Sequence, residues 1–163
     1  MATDMVQITV ITVGTLKESY WREALAEYEK RLGAFCRLEI VQLKEARLGE
    51  TPSAQEIRTS LSEEGKRILA AVPPRAAKIA LCVEGKQFSS EGLAKKLDGF
   101  LSENGNLCFI IGSSFGIAPE VKEVCDLKLS VSELTFPHQM MRVLLLEVLY
   151  RCFGILRGTK YHK

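Results

Sequence analysis

Histidine is nearly missing from this chain: 163 residues contain two, His138 and His162. The five cysteines, Cys36, Cys82, Cys108, Cys125 and Cys152, are scattered, with no C-x-x-C pair. Neither set has the spacing of a zinc site, so no metal is expected. An odd count of cysteines, mostly inside apolar runs, reads as small buried hydrophobes in a reducing compartment. No apolar run approaches the ~20 residues that a membrane span needs. The start of the chain carries Asp4 where a secretory signal has Lys or Arg, and VQITVITV reads as a strand. A cytoplasmic protein without a membrane partner is expected. G-x-G-x-x-G and the Walker Gly-Lys-Ser/Thr are also absent, which argues against dinucleotide and P-loop chemistry. Internal repeats, low-complexity stretches and linkers are lacking, and the length suits one domain over residues 1–163.

An excess of either charge is lacking too. The chain has 22 Lys and Arg against 20 Asp and Glu, so composition alone does not announce a nucleic-acid binder. Distribution says more. Residues 148–163 hold Arg151, Arg157, Lys160 and Lys163 and no acid, a basic end suited to phosphate on an otherwise balanced body.

What the chain does have is alternation of β-branched runs with helical patterns. Strands are expected at Val6 to Val13, Arg37 to Leu43, Lys78 to Val83, Leu107 to Ile111 and Leu127 to Val131. Helices are expected at Ser19 to Leu32, from a Ser53/Glu56 capping box to about Ala71, from Ser90 to Leu101, and from Pro119 to about Val124. Gly85-Lys86 reads as a turn. This order predicts an α/β fold, a mostly parallel sheet with helices on both faces. Ligands gather beyond the carboxyl ends of such strands, which singles out the loops after Leu81, Ile111 and Val131. Of these, Gly112-Ser113-Ser114-Phe115-Gly116 permits close approach to backbone, and Ser132 to Phe136 mixes hydroxyls, a carboxylate and an aromatic.

The most informative stretch is Leu134 to Lys163. It reads as one long helix opened by Pro137, followed by a basic, aromatic tail. On a wheel at about 100° per residue, Arg142 is surrounded by Leu146, Leu149 and Phe153, with His138 one turn back. Glu147 and Arg151 pair on the opposite face. A charge on an apolar stripe is costly unless something pairs with it, so His138 and Arg142 are candidate functional residues. Tyr161-His162-Lys163 could stack on a base and hold a phosphate. The helix is apolar on more than one face, and a homodimer would cover the surplus.

These residues resemble a known family. Val13-Gly14-Thr15-Leu16-Lys17, Tyr28-Glu29-Lys30-Arg31-Leu32, Glu64-Gly65, Gly85-Lys86, Ile111-Gly112 and the whole Leu134 to Lys163 block are similar to the ribosomal RNA large-subunit methyltransferase H family, small members of the SPOUT methyltransferases. The resemblance implies a C-terminal trefoil knot, a homodimer and S-adenosylmethionine as cofactor. It implies methylation of N3 of a pseudouridine in large-subunit ribosomal RNA, on the assembled ribosome. Carried over by position, the cofactor contacts are Leu81, Gly112, Val131, Ser132, Glu133, Leu134, Thr135 and Phe136. His138, Arg142, Tyr161 and His162 match residues used near the reacting base. Three rivals stand beside this reading: a dehydrogenase on a doubly wound sheet, a non-catalytic dimeric ribosome-associated binding module, and a SPOUT methyltransferase acting on another RNA nucleotide or a tRNA.

Overall fold

A computed structural model describes residues 5–162, so Asp4 and the phosphate contact expected of Lys163 lie outside the described residues. Five parallel strands form one sheet in the order β2-β1-β4-β3-β5. They are β1 (Val6–Val13), β2 (Cys36–Leu43), β3 (Ala77–Lys86), β4 (Asn106–Ile111) and β5 (Leu127–Leu129). The connecting helices are α1 (Ser19–Leu32), α2 (Ala54–Ala71), α3 (Ser90–Asn104) and α4 (Pro119–Glu123), and α5 (His138–Leu156) closes the fold.

Alternation along the strands sends side chains into two cores. Leu107, Phe109 and Ile111 of β4 join Ile8 and Val10 of β1 beneath α1, α3 and α5, whose Leu32, Leu97, Leu145, Leu146 and Leu149 are fully buried. Cys108 and Ile110 point the other way, against Ile68 of α2 and Val121 of α4. Each fully buried Leu or Ile contributes about 1.5–3 kcal/mol relative to exposure, so these two layers carry the fold. Burial on both faces explains why the central strands read as nearly unbroken apolar runs.

The helix starts follow local chemistry. Ser53 accepts the Glu56 N–H while Glu56 reaches back to the Ser53 N–H, the capping box expected from sequence. The α3 cap is Ser89 rather than Ser90: its Oγ accepts from Gly92 N–H at 3.0 Å, and Gly105 ends the helix at φ +84°. Two strands differ from expectation. β3 does not turn at Gly85-Lys86 but runs on along β5, with an irregularity that brings both Leu81 and Lys86 opposite Leu129. Gly85 permits this, because a Cβ there would lie 2.7 Å from the Lys128 carbonyl. β5 is shorter than expected, ending at Leu129, and the Ser130 N–H goes back to Lys86 O at 3.0 Å.

Cys36, Cys108 and Cys152 are buried, and all five thiols are free. No helix among the described residues is long and apolar enough to cross a membrane.

Candidate functional site

The three loops singled out from sequence meet at the carboxyl edge of the sheet. They enclose a cavity of about 560 Å³, within the range of small-molecule sites. Leu81 to Glu84 form one wall, Ile111 to Ser114 with Gly116 and Ile117 a second, and Val131, Ser132 and Leu134 to His138 a third, with Leu129 and Met141 behind. Of the expected cofactor contacts, Leu81, Gly112, Val131, Ser132, Leu134, Thr135 and Phe136 line it, whereas Glu133 is exposed and does not.

The loops are held locally. A Cβ on Gly112 would sit 2.2 Å from Gly116 O, so only glycine lets the 112–116 loop fold back on its strand. Gly116, at φ +95°, closes that turn by donating its N–H to Ser113 O at 2.9 Å. In the third wall, Ser130 Oγ donates to Ser132 O, and Ser132 Oγ accepts from Leu134 N–H at 3.0 Å. Serine side chains bonded to nearby backbone in this way fix an irregular segment. Glu84 at the rim pairs with Lys122, whose hydrogen bond holds its carboxyl below the usual carboxylate range. Burial, with Glu84 nearby, raises the Cys82 thiol above its ordinary value.

His138 opens α5 and is half-buried. It lines the cavity and also a second, polar cleft, formed by Gly14, Thr15, Lys17, Glu18, Lys44, Glu45, Arg47 and Gln139. Arg142, one turn along, is 3% exposed. Its Nη2 donates to Val13 O at 3.1 Å and Gly14 O at 2.9 Å, at the carboxyl end of β1. Burial pushes its pKa below the ordinary value, and Glu45 opposes that shift. Its Nε is buried without a partner among the described residues. The charge flagged on the apolar stripe is thus compensated mainly by main-chain carbonyls.

The tail lies elsewhere in this chain. Tyr161 OH donates to Glu147 at 2.9 Å and its ring meets Tyr150 edge-on at 4.7 Å. Arg151 ion-pairs with Glu147 at 2.9 Å, stacks over the Tyr161 ring and contacts His162 Nδ1 at 3.2 Å. His162 Nε2 in turn meets Glu91 at 2.7 Å. Nine residues separate His138 from Glu147, about 14 Å along the helix axis at ~1.5 Å per residue. The chain therefore brings His138 and Arg142 together but keeps Tyr161 and His162 at the far half of α5.

Sequence reasoning missed the second cleft. Lys17 lies in the Val13 to Lys17 stretch singled out above, yet nothing in the sequence set Lys44, Glu45 and Arg47 apart. That loop is pinned by buried Glu64, which accepts the Ala46 N–H at 3.0 Å. The signal was a carboxylate on an otherwise apolar helix stripe, beside Gly65, whose Cβ position lies 3.0 Å from Val121.

A parallel sheet with a roomy, largely apolar cavity beyond its strand ends defines an α/β protein built to hold a small organic ligand at that edge. The family is then given by comparison: the model described as "Predicted SPOUT methyltransferase" matches residues 6–162, and the chain belongs to that family. Among solved structures it is similar to the SpoU methyltransferase AviRb from Streptomyces viridochromogenes, in complex with AdoMet. The identity is 11% and the TM-score 0.47, over 98% of this chain and 61% of that one. The present chain thus spans about three fifths of that neighbour's length.

Proposed function

We propose that this protein methylates N3 of a pseudouridine in large-subunit ribosomal RNA, on the assembled ribosome, using S-adenosylmethionine. Family membership supports methyl transfer, and the resemblance of the Leu134 to Lys163 block supports the donor and the RNA target. The observation that carries the reading is the position of His138, on the wall shared by the apolar cavity and the polar cleft.

The cavity suits the donor's chemistry. Leu81, Ile117, Leu129 and Phe136 offer apolar surface to an adenine ring. Hydroxyls of Ser113, Ser132 and Thr135 and the glycine backbone at 112 offer hydrogen bonds to ribose and to the amino-acid end. S-adenosylmethionine supplies an electrophilic methyl group on sulfur, so the protein's work is chiefly alignment. His138 accepts the N3 proton of the base, directly or through water, as the methyl group is delivered. Arg142 holds the β1–α1 corner that floors the approach. Val83, Phe115 and Leu134, exposed around the cavity mouth, are apolar surface that a second copy would cover in a homodimer. Because Tyr161 and His162 are remote from their own cavity, we propose that a second copy's tail completes the site. The resemblance further supports a C-terminal trefoil knot.

The test is nucleoside mass spectrometry of ribosomal RNA from cells with and without the gene. Loss of one methylated pseudouridine is expected, and an unchanged profile overturns the reading. In vitro, calorimetry should show S-adenosylmethionine bound by wild type and by His138→Ala alike, while His138→Ala loses about 10²–10⁴-fold in turnover, the usual worth of a positioned base. A dehydrogenase would not bind that donor, and a binding module would not turn over. Equal loss of binding and turnover would make His138 structural.

A further inference from the structure

The cleft on the outer side of His138 has a composition the methyl-donor cavity does not explain. Lys17, Lys44 and Arg47 line it, all exposed. None of the three takes part in an ion pair among the described residues. Two carboxylates share the cleft, Glu18 and Glu45, but Glu45 acts on buried Arg142 just behind it. The cations therefore dominate the open side. α1 also begins at this edge: Glu18 stands at its N-cap without a side-chain cap bond, and its first turn has no acid. Uncapped N–H groups and the positive end of the helix add to the attraction for an anion. The cations come from two separate loops, Gly14 to Glu18 and the 44–47 stretch, and each loop is fixed from behind. Arg142 holds Gly14, and Glu64 holds Ala46.

We propose that this cleft binds a backbone phosphate of the RNA strand adjoining the target nucleotide, with Lys17, Lys44 and Arg47 as its ligands. The inference rests on the methyltransferase reading for its choice of RNA. His138 then stands between donor and strand: the base enters on the cavity side while the neighbouring phosphate stays on the cleft side. Phosphate contacts of this kind fix register without reading sequence. They also explain how a chain of net charge +2 engages a polyanion, by concentrating cations at the entrance rather than over the surface.

The experiment measures binding of a fluorescent RNA hairpin and of purified large ribosomal subunits without donor, over a range of salt. The Lys44→Gln/Arg47→Gln pair and Lys17→Gln are compared with Lys95→Gln/Lys96→Gln on α3 as a charge-matched control. The cleft pair is expected to weaken binding about tenfold or more near 0.1 M salt and to lower the salt slope by about one to two, as loss of one or two phosphate contacts requires. Calorimetric affinity for S-adenosylmethionine stays unchanged, and in methylation assays the loss falls in KM for the RNA substrate. Equal weakening by the α3 control, or no binding of either RNA by wild type, overturns the proposal. Failure of wild type to bind the donor would instead sink the methyltransferase reading, while the RNA-binding comparison still judges the cleft.

Discussion

Gly112→Ala is the sharpest test of how the cavity is built. The added methyl would lie 2.2 Å from Gly116 O, 2.6 Å from Gly116 C and 2.7 Å from Ile117 Cγ1. Real contacts keep beyond 3.0 Å, so the strand end and the turn must part by about 1 Å. Two of the three obstacles are backbone, and no side-chain rotation relieves them. Overpacking of this kind costs about 1–3 kcal/mol. For a chain of this size that lowers Tm by roughly 2–4 °C per kcal/mol, about 2–12 °C in all. The same shift moves one cavity wall, and losing one or two hydrogen bonds at about 0.5–1.5 kcal/mol each raises Kd for S-adenosylmethionine by about 2- to 150-fold. Titration calorimetry and scanning calorimetry on one preparation measure both effects. Gly99→Ala is the control: nothing lies within 4 Å of its Cβ position, in mid-α3, so Tm should hold or rise and Kd stay fixed. A Gly112→Ala protein with wild-type Kd and Tm would refute the idea that the 112–116 fold-back shapes the donor wall.

Two further predictions concern stability. Arg142→Met strands the carbonyls of Val13 and Gly14 and should cost about 2–4 kcal/mol in urea unfolding, along with turnover, since each charge-assisted bond contributes about 1.5–3 kcal/mol before the relief of burying a charge; a turnover loss at unchanged stability would assign Arg142 to chemistry alone. Burial pushes the Cys36 thiol up to about 11 and those of Cys108 and Cys152 up to about 12. Because these folded values lie above the unfolded one, their stabilisation is complete below about pH 9 and disappears as pH climbs through 11–12. Three such thiols give a slope of about 4 kcal/mol per pH unit, so circular dichroism should show alkaline unfolding near pH 10–12 that a triple Cys→Ala variant does not share with the same steepness.

Elements set by local chemistry were legible in the sequence, and contacts across the sheet were not. The Ser53/Glu56 box, the α4 start at Pro119 and the limits of β1 and α1 need only neighbours within a turn, and they agree with the structure. The same holds for the three cavity loops, since the carboxyl end of each strand follows from strand order alone. Gly85-Lys86 shows where local reading stops. Its turn propensity is real, but β5 lies against Gly85 from more than 40 residues away and the strand continues. Arg142 is the sharper case. Periodicity exposed it as a charge in an apolar stripe, and burial agrees, yet its partners stand 128 and 129 residues away on the opposite end of the chain. A wheel can show that a charge needs compensation without showing whether a ligand or a main-chain carbonyl provides it. The cationic cleft was hidden for the same reason. Lys17 and Lys44 look like ordinary solvated residues until parallel pairing of β1 with β2 sets Val13 beside Leu43. That register, fixed by the apolar alternation of both strands, carries the two following loops to one side of His138 and makes a binding surface of residues that are unremarkable in isolation.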